Sequence, residues 1–203
     1  LFPKCLDILQ NNFTNGVFLV LTGPDPGAAG EYEGFFIRDS DPDTNPVNYT
    51  DLLLERGSKE LSRAWNIPLD TNWTTRFHMD GQGVSAAERY FYEPWQAGRD
   101  FPDADTADLG YWALPFCLEK DRADPHEMIT YSLPLRHDGV TYGVLGVEIS
   151  SRSLNDYFPV TETSWGSIGS LICWESYMPL ARVALYQKGI TIYISPNTND
   201  NPE

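Results

Sequence analysis

The chain has 203 residues, 41% of them hydrophobic and 13% aromatic, so it has the apolar material for a packed domain and disorder is not its default. Its net charge of −15 excludes a nucleic-acid partner, whose phosphates need a basic surface, and an anionic membrane face. The cysteines Cys5, Cys117 and Cys173 form no CxxC pair, and His78, His126 and His137 have no ligand spacing, so no disulfide scaffold, metal site or cofactor is expected.

In chain order, "LFPKCLDILQNNF" carries apolar residues at helical spacing and stops at Asn15-Gly16. "GVFLVLTG" is a buried strand, and "FFIRDSDPD" is a strand entering a turn of Asp and Pro. That turn lacks the spaced ligands of a calcium loop. "YTDLLLERGSKELSRAWNI" is predicted helical with a break at Gly57, and "LDTNWTTRFHMD" extended. "GVSAAERYFYEPWQAG" is predicted as a short helix ending in aromatics, and "ADLGYWALPFCLEK" as a strand. "HEMITYSLPLRHDGVTYGVLGVEIS" is a hairpin turning at Asp138-Gly139, and "SRSLNDYFP" starts a helix. Residues 16–150 thus predict an α+β domain built on an antiparallel sheet with flanking helices. After Pro159 the pattern changes to strand–helix–strand, which implies parallel pairing. The Asn12, Asn48 and Asn72 acceptor patterns for glycosylation are common by chance. No run reaches the length of a membrane helix and no signal peptide is visible; both ends read as cuts.

Chemistry-bearing residues fall in two places. In the first, Arg89 could hold a carboxylate bidentately, Tyr and Trp side chains could wall a small pocket, and a facing carboxylate could take an ammonium. Aromatics on the strands of such a domain are usually core; Arg89 is alternatively read as the partner of a surface acid, and Glu148 as an ordinary surface residue. In the second, Cys173 lies between a strand and a helix, where free backbone N–H groups and the helix dipole favour a thiolate. A buried, inert thiol is the alternative.

The order of "ERYFYEPWQAG", "GYW" and "MITYSLPLRHDGVTYGVLGVEIS" resembles the extracytoplasmic Cache domains of bacterial sensors over about residues 1–160. The resemblance implies a PAS-like, double-Cache-type fold, truncated at its N-terminus, that binds a small molecule and belongs to a membrane-anchored, dimeric receptor. It also implies roles. Arg89, Phe91 and Tyr92 fall on the ligand-reading motif, with Phe91 in place of tryptophan, and Tyr111 falls on a later tyrosine. Glu148 falls where amino-acid binders carry aspartate, and its extra methylene would intrude on an α-amino group. Trp95, Trp112 and Thr130 would line the same space.

Residues 161–203 resemble another family. "LICWESYMPLARVALYQKG" followed by "IYISPNTND" closely resembles the nucleophile segment of nitrilases, the carbon–nitrogen hydrolases. The resemblance implies that Cys173 attacks a nitrile or amide carbon, aided by a glutamate base and a lysine. The lysine motif of that family is not found around Lys4, Lys59, Lys120 or Lys188, and Glu175 of "CWE" does not replace the base. The sequence therefore favours a sensory, ligand-binding domain (1–160), extracytoplasmic and without catalysis, joined to an incomplete nitrilase-like α/β segment (161–203). The alternative is a cysteine-dependent nitrilase or amidase relative in the cytoplasm; a third reading is a partly folded fragment.

Overall fold

The computed structural model describes residues 1–11, 14–22, 30–40, 51–79, 81, 86–117, 128–150, 158–172, 176 and 179–196. They divide into two compact units, Leu1–Ser150 and Ser151–Glu203, and the whole is a mixed α and β chain.

The first unit begins with α1 (Phe2–Asn11) and β1 (Gly16–Leu21). It continues with β2 (Gly30–Tyr32), β3 (Gly34–Asp39), β4 (Leu52–Arg56), α2 (Lys59–Trp65), β5 (Leu69–Thr74) and β6 (Phe77–Met79). Then come α3 (Ala86–Asp100), a 3₁₀ turn at Thr106–Leu109, β7 (Tyr111–Trp112), β8 (Met128–His137) and β9 (Val140–Ser150). Seven strands form one sheet in the order β5-β4-β3-β1-β9-β8-β7, and β2 pairs with β6 separately. All pairings in the large sheet are antiparallel except β4 with β5.

The position of β1 explains its composition. It is flanked on both edges, by β3 and β9, and covered on both faces, so "GVFLVL" is apolar at nearly every position. Val17 and Leu19 meet Cys5, Leu6 and Leu9 of α1, whose apolar residues recur at helical spacing. Phe18 and Val20 point to the other face, beneath Tyr90, Phe91 and Trp95 of α3. The expected hairpin is present: Asp138 and Gly139 have φ of 49° and 75°, and His137 pairs with Val140. Both residues tolerate the left-handed region that a two-residue hairpin turn demands.

The expectation of helix over "YTDLLLER" is corrected. Leu52–Arg56 is strand β4, and only Lys59–Trp65, capped by the Ser58 side chain accepting from Leu61 N, is helical. Pairing with β3 buries Leu52 and Leu54 on the α1 side, and this tertiary gain overrides the helical preference of the leucines. Helix α3 runs longer than expected, to Asp100, and among the described residues of "ADLGYWALPFCLEK" the strand is Tyr111–Trp112. The helix expected at "SRSLNDYFP" falls largely outside the described residues.

The second unit contains β10 (Val160–Thr163), β11 (Gly166–Ser170), α4 (Pro179–Gln187) and β12 (Ile192–Ile194). β10 and β11 form a hairpin, while β12 returns parallel to β11, in register Ile168–Ile192, Gly169–Tyr193 and Ser170–Ile194. This is the expected strand–helix–strand crossover. Leu171, Ala181 and Leu185 are its buried core, with Phe158, Val160 and Ile190 against them. Gly169 lets α4 close on β11, since a Cβ there would stand 2.9 Å from both Ile190 Cγ2 and Leu185 Cδ2. Pro179 suits the first turn of α4, where its missing N–H would have had no partner.

Candidate functional site

Cys173 itself, with Trp174 and Glu175, lies outside the described residues. The frame around them is defined. Leu171 N donates to Ile194 O at 3.1 Å, extending the parallel pairing one residue beyond β11. Ser176 Oγ donates to Leu171 O at 3.1 Å and lies 2.6 Å from Ser195 Oγ. The link from β11 to α4 therefore leaves the sheet at the carboxyl ends of two parallel strands. In parallel α/β sheets that end gathers reactive groups, because the loops there run into helix N-termini. Of the lysines, Lys188 is committed structurally: its Nζ donates to Phe158 O at 2.8 Å.

The first unit brings together most, not all, of its candidates. Phe91 is fully buried against Tyr32, Tyr92 and Trp95, which makes it part of the aromatic core. Trp95 is buried beside it, with the Arg99 guanidinium 4.7 Å from its ring centroid. Tyr92 and Tyr111 are half-buried and pack on the same cluster. Arg89 is half-buried, and its Nε is enclosed without a hydrogen-bond partner among the described residues. Thr130 and Glu148 sit directly opposite one another on β8 and β9, both at 0% exposure, on the face that α3 covers. Glu148 is thus not the surface residue its polarity suggested. Trp112 does not join this group. It pairs with Tyr131, one residue out of phase with Thr130, so it stands on the opposite face, 44% exposed.

Sequence reasoning missed a buried charged cluster on the α3 face. Between β3 and β4 the register slips, so that Phe36 opposes Arg56 while Ile37 opposes Leu54. The irregularity leaves Glu55 extra, and such a bulge turns neighbouring side chains to one side. Glu55 and Arg56 are both buried. Arg38 Nη1 approaches Glu55 Oε1 at 2.6 Å, and Arg56 Nη1 donates to Glu55 O at 2.9 Å and Asn72 O at 3.2 Å. Glu148 reaches the same region over Gly16, where a Cβ would meet its Oε2 at 2.6 Å. Burial above all pushes the Glu55 carboxyl up. Arg38 opposes that rise, and the charges of Glu148 and Asp70 reinforce it. Burial likewise pushes the Tyr90 hydroxyl well up, opposed by Arg56 and reinforced by Glu88. The available signal was a Glu-Arg pair closing an apolar run.

Among the described residues no helix is long and apolar enough to cross a membrane.

Three short, strong likenesses accompany this geometry. The chain is 56% identical over 39 residues to an aliphatic nitrilase of Sinorhizobium fredii, covering 19% of this chain and 13% of that protein. It is 55% identical over 42 residues to a nitrilase of Bradyrhizobium diazoefficiens, covering 21% and 13%. It is 58% identical over 41 residues to a bifunctional nitrilase/nitrile hydratase of Oryza sativa, covering 20% and 11%. The matched stretch is thus a small part of each of these relatives. Among solved structures, the extracellular domain of a histidine kinase aligns with a TM-score of 0.40 at 15% identity, over 75% of this chain and 42% of that one, a likeness too weak to carry an argument. The sensory reading favoured by the order of weak motifs gains no support from these findings; the alternative does. A model of the carbon-nitrogen hydrolase family matches residues 82–203, more than half of the chain, and the protein belongs to that family.

Proposed function

We propose that this chain carries the nucleophile segment of a cysteine-dependent hydrolase that cleaves nitriles or amides, with Cys173 as the attacking thiol. The observation that carries the reading is the family match over residues 82–203, which agrees with a parallel β11–α4–β12 crossover around the cysteine. The Cys173 thiolate adds to the amide carbon. The tetrahedral intermediate expels the amine, which takes up a proton, and water then hydrolyses the thioester to the acid and free thiol. For a nitrile, addition gives a thioimidate, and water releases ammonia and acid through the same thioester. A base must take the thiol proton and a cation must steady the developing negative charge. Two lysines, Lys120 and Lys188, fall within the matched residues, and Lys188 already serves Phe158 O. Lys120 is therefore the cation to test. The assay is ammonia release from short aliphatic nitriles and amides. Turnover that disappears in Cys173→Ala supports the reading; turnover that survives in that variant overturns it.

A second reading has its own observation. Thr130 Oγ1, Ser132 Oγ and Trp95 Nε1 are buried beneath α3 without a hydrogen-bond partner among the described residues, as is Arg89 Nε. Enclosed polar atoms of this kind cost about 1–3 kcal/mol each when left unmade, and a small polar ligand would recover that. In this reading Arg89, Tyr92, Trp95, Tyr111, Thr130 and Glu148 contact a small molecule. An extracytoplasmic, membrane-anchored and dimeric parent belongs to the same proposal. The test is a thermal-shift screen of small carboxylates and amines. A stabiliser whose effect is lost in Arg89→Ala supports it, and a stabiliser indifferent to that change removes Arg89 from the site.

A further inference from the structure

At the carboxyl ends of β11 and β12, side chains continue what the strand ladder begins. Leu171 N donates to Ile194 O at 3.1 Å, which ties the Leu171 backbone to β12. Leu171 O in turn accepts from Ser176 Oγ at 3.1 Å, and Ser176 Oγ stands 2.6 Å from Ser195 Oγ. A hydroxyl carries a single proton. Ser176 gives its proton to the Leu171 carbonyl, so Ser195 is the donor of the shorter bond. The contacts therefore run one way, from Ser195 through Ser176 to Leu171 O. Pro196 follows Ser195 and biases it to extended backbone just past β12.

Four residues, 172–175, separate Leu171 from Ser176, and Cys173 is one of them. Both ends of that span are moored to neighbouring residues of one strand end, Leu171 to Ile194 and Ser176 to Ser195. We propose that Ser176 and Ser195 are positioning residues for the Cys173 thiol, a pair of hydroxyls in series that fixes the span carrying it against the end of β12. The proposal rests on the reading of Cys173 as the nucleophile, and it assigns neither serine a chemical step. Backbone N–H groups stabilise a thiolate only while they point at it, and a span loose at one end would average that direction away. Ser195 is exposed and Ser176 half-buried, so water can take the place of either hydroxyl partner at little cost to the fold. Water cannot hold the span at a fixed distance from β12. The pair thus matters more to the thiol than to global stability.

The test is alkylation of the full chain with iodoacetamide from pH 5 to pH 9. Peptide mass spectrometry reads the rate at Cys173 separately from those at Cys5 and Cys117, and Tm is measured beside it. The wild-type midpoint at Cys173 should lie below the about 8.5 of an ordinary thiol. Ser176→Ala should raise it by roughly half a unit or more, the equivalent of one hydroxyl hydrogen bond. Ser195→Ala should raise it less, because Ser176 keeps its bond to Leu171 O, and should add nothing in the Ser176→Ala background. Ser176→Thr keeps the hydroxyl and should keep the wild-type midpoint. A lowered wild-type midpoint that Ser176→Ala leaves in place, with or without a fall in Tm, overturns the proposal and leaves the nucleophile standing. Additive shifts from the two alanine substitutions overturn it as well, since the serines would then not act in series. An ordinary wild-type midpoint removes the nucleophile, and the proposal with it. If Ser176→Ala does not fold, Ser195→Ala compared with Ser195→Thr decides.

Discussion

Leu185→Ala in α4 is a sharp test of the frame that carries Cys173. Leu185 is fully buried, and among the described residues its core comprises Leu171, Ala181 and the flanking Phe158, Val160 and Ile190. Truncating a buried leucine costs about 2–5 kcal/mol, and the upper end applies where the site cannot collapse. Gly169 and Ala181, on the facing strand and the same helix, carry little side chain to fill the gap. A unit the size of Ser151–Glu203 has a stability of only a few kcal/mol at roughly 0.05–0.15 kcal/mol per residue. The substitution therefore removes most of its margin. Amide hydrogen exchange read by mass spectrometry should show β11 and β12 losing protection on the order of a hundredfold, from about 2.8 kcal/mol at a factor of ten per 1.4 kcal/mol. Unchanged protection at Ile168–Ser170 and Ile192–Ile194 would refute the packing described here, and with it the frame assigned to the cysteine.

Other perturbations separate structure from function. Thr130→Val replaces a hydroxyl that has no partner among the described residues by a methyl, so Tm should hold or rise by the equivalent of about 1 kcal/mol, while any ligand binding beneath α3 should weaken. A clear fall in Tm would mean that the hydroxyl is satisfied, and would remove it from the binding reading. Arg38→Ala removes the guanidinium that stands 2.6 Å from the buried Glu55 carboxylate, and should cost about 1–3 kcal/mol at neutral pH and less in acid, where the carboxyl is protonated; urea unfolding at two pH values reads this. Gly16→Ala must displace Glu148 or the Phe36 ring, and should lower Tm by the equivalent of about 1–3 kcal/mol.

What could be read from the sequence follows from which interactions are local. The hairpin at Asp138-Gly139 was legible because a two-residue turn dictates its own residues. Strand β1 was legible because a strand buried on both faces must be apolar throughout. The crossover around Cys173 was legible because strand, helix and strand each carry their own period and meet at small residues. Strand β4 was not, since "LLLER" suits a helix as well as a strand and the decision comes from β3, distant in sequence. The charge cluster was hidden for a related reason. Glu148 alternates with the apolar Val147 and Ile149 as a solvent-facing residue would, Glu55-Arg56 closes an apolar run as a strand end would, and their burial depends on elements distant in sequence. Trp112 does not line the space expected with Trp95 and Thr130, because it follows Tyr111 in a strand and so stands on the opposite face.

Reactivity and turnover at Cys173 answer different questions. A thiol at the carboxyl end of a parallel strand pair can be acidified by backbone N–H groups alone, with no further side chain. Turnover needs more: a base for the incoming water and a cation for the intermediate. Alkylation of Cys173 faster than that of Cys5, whose thiol burial pushes up, tests the corner by itself. Ammonia release then tests the partners. A fast thiol without turnover would locate the deficit in the partners, with Lys120 the first position to vary, and would leave the nucleophile assignment standing. A thiol no faster than an ordinary exposed cysteine would remove the nucleophile itself, and no partner supplied from elsewhere in residues 82–203 could restore the reading.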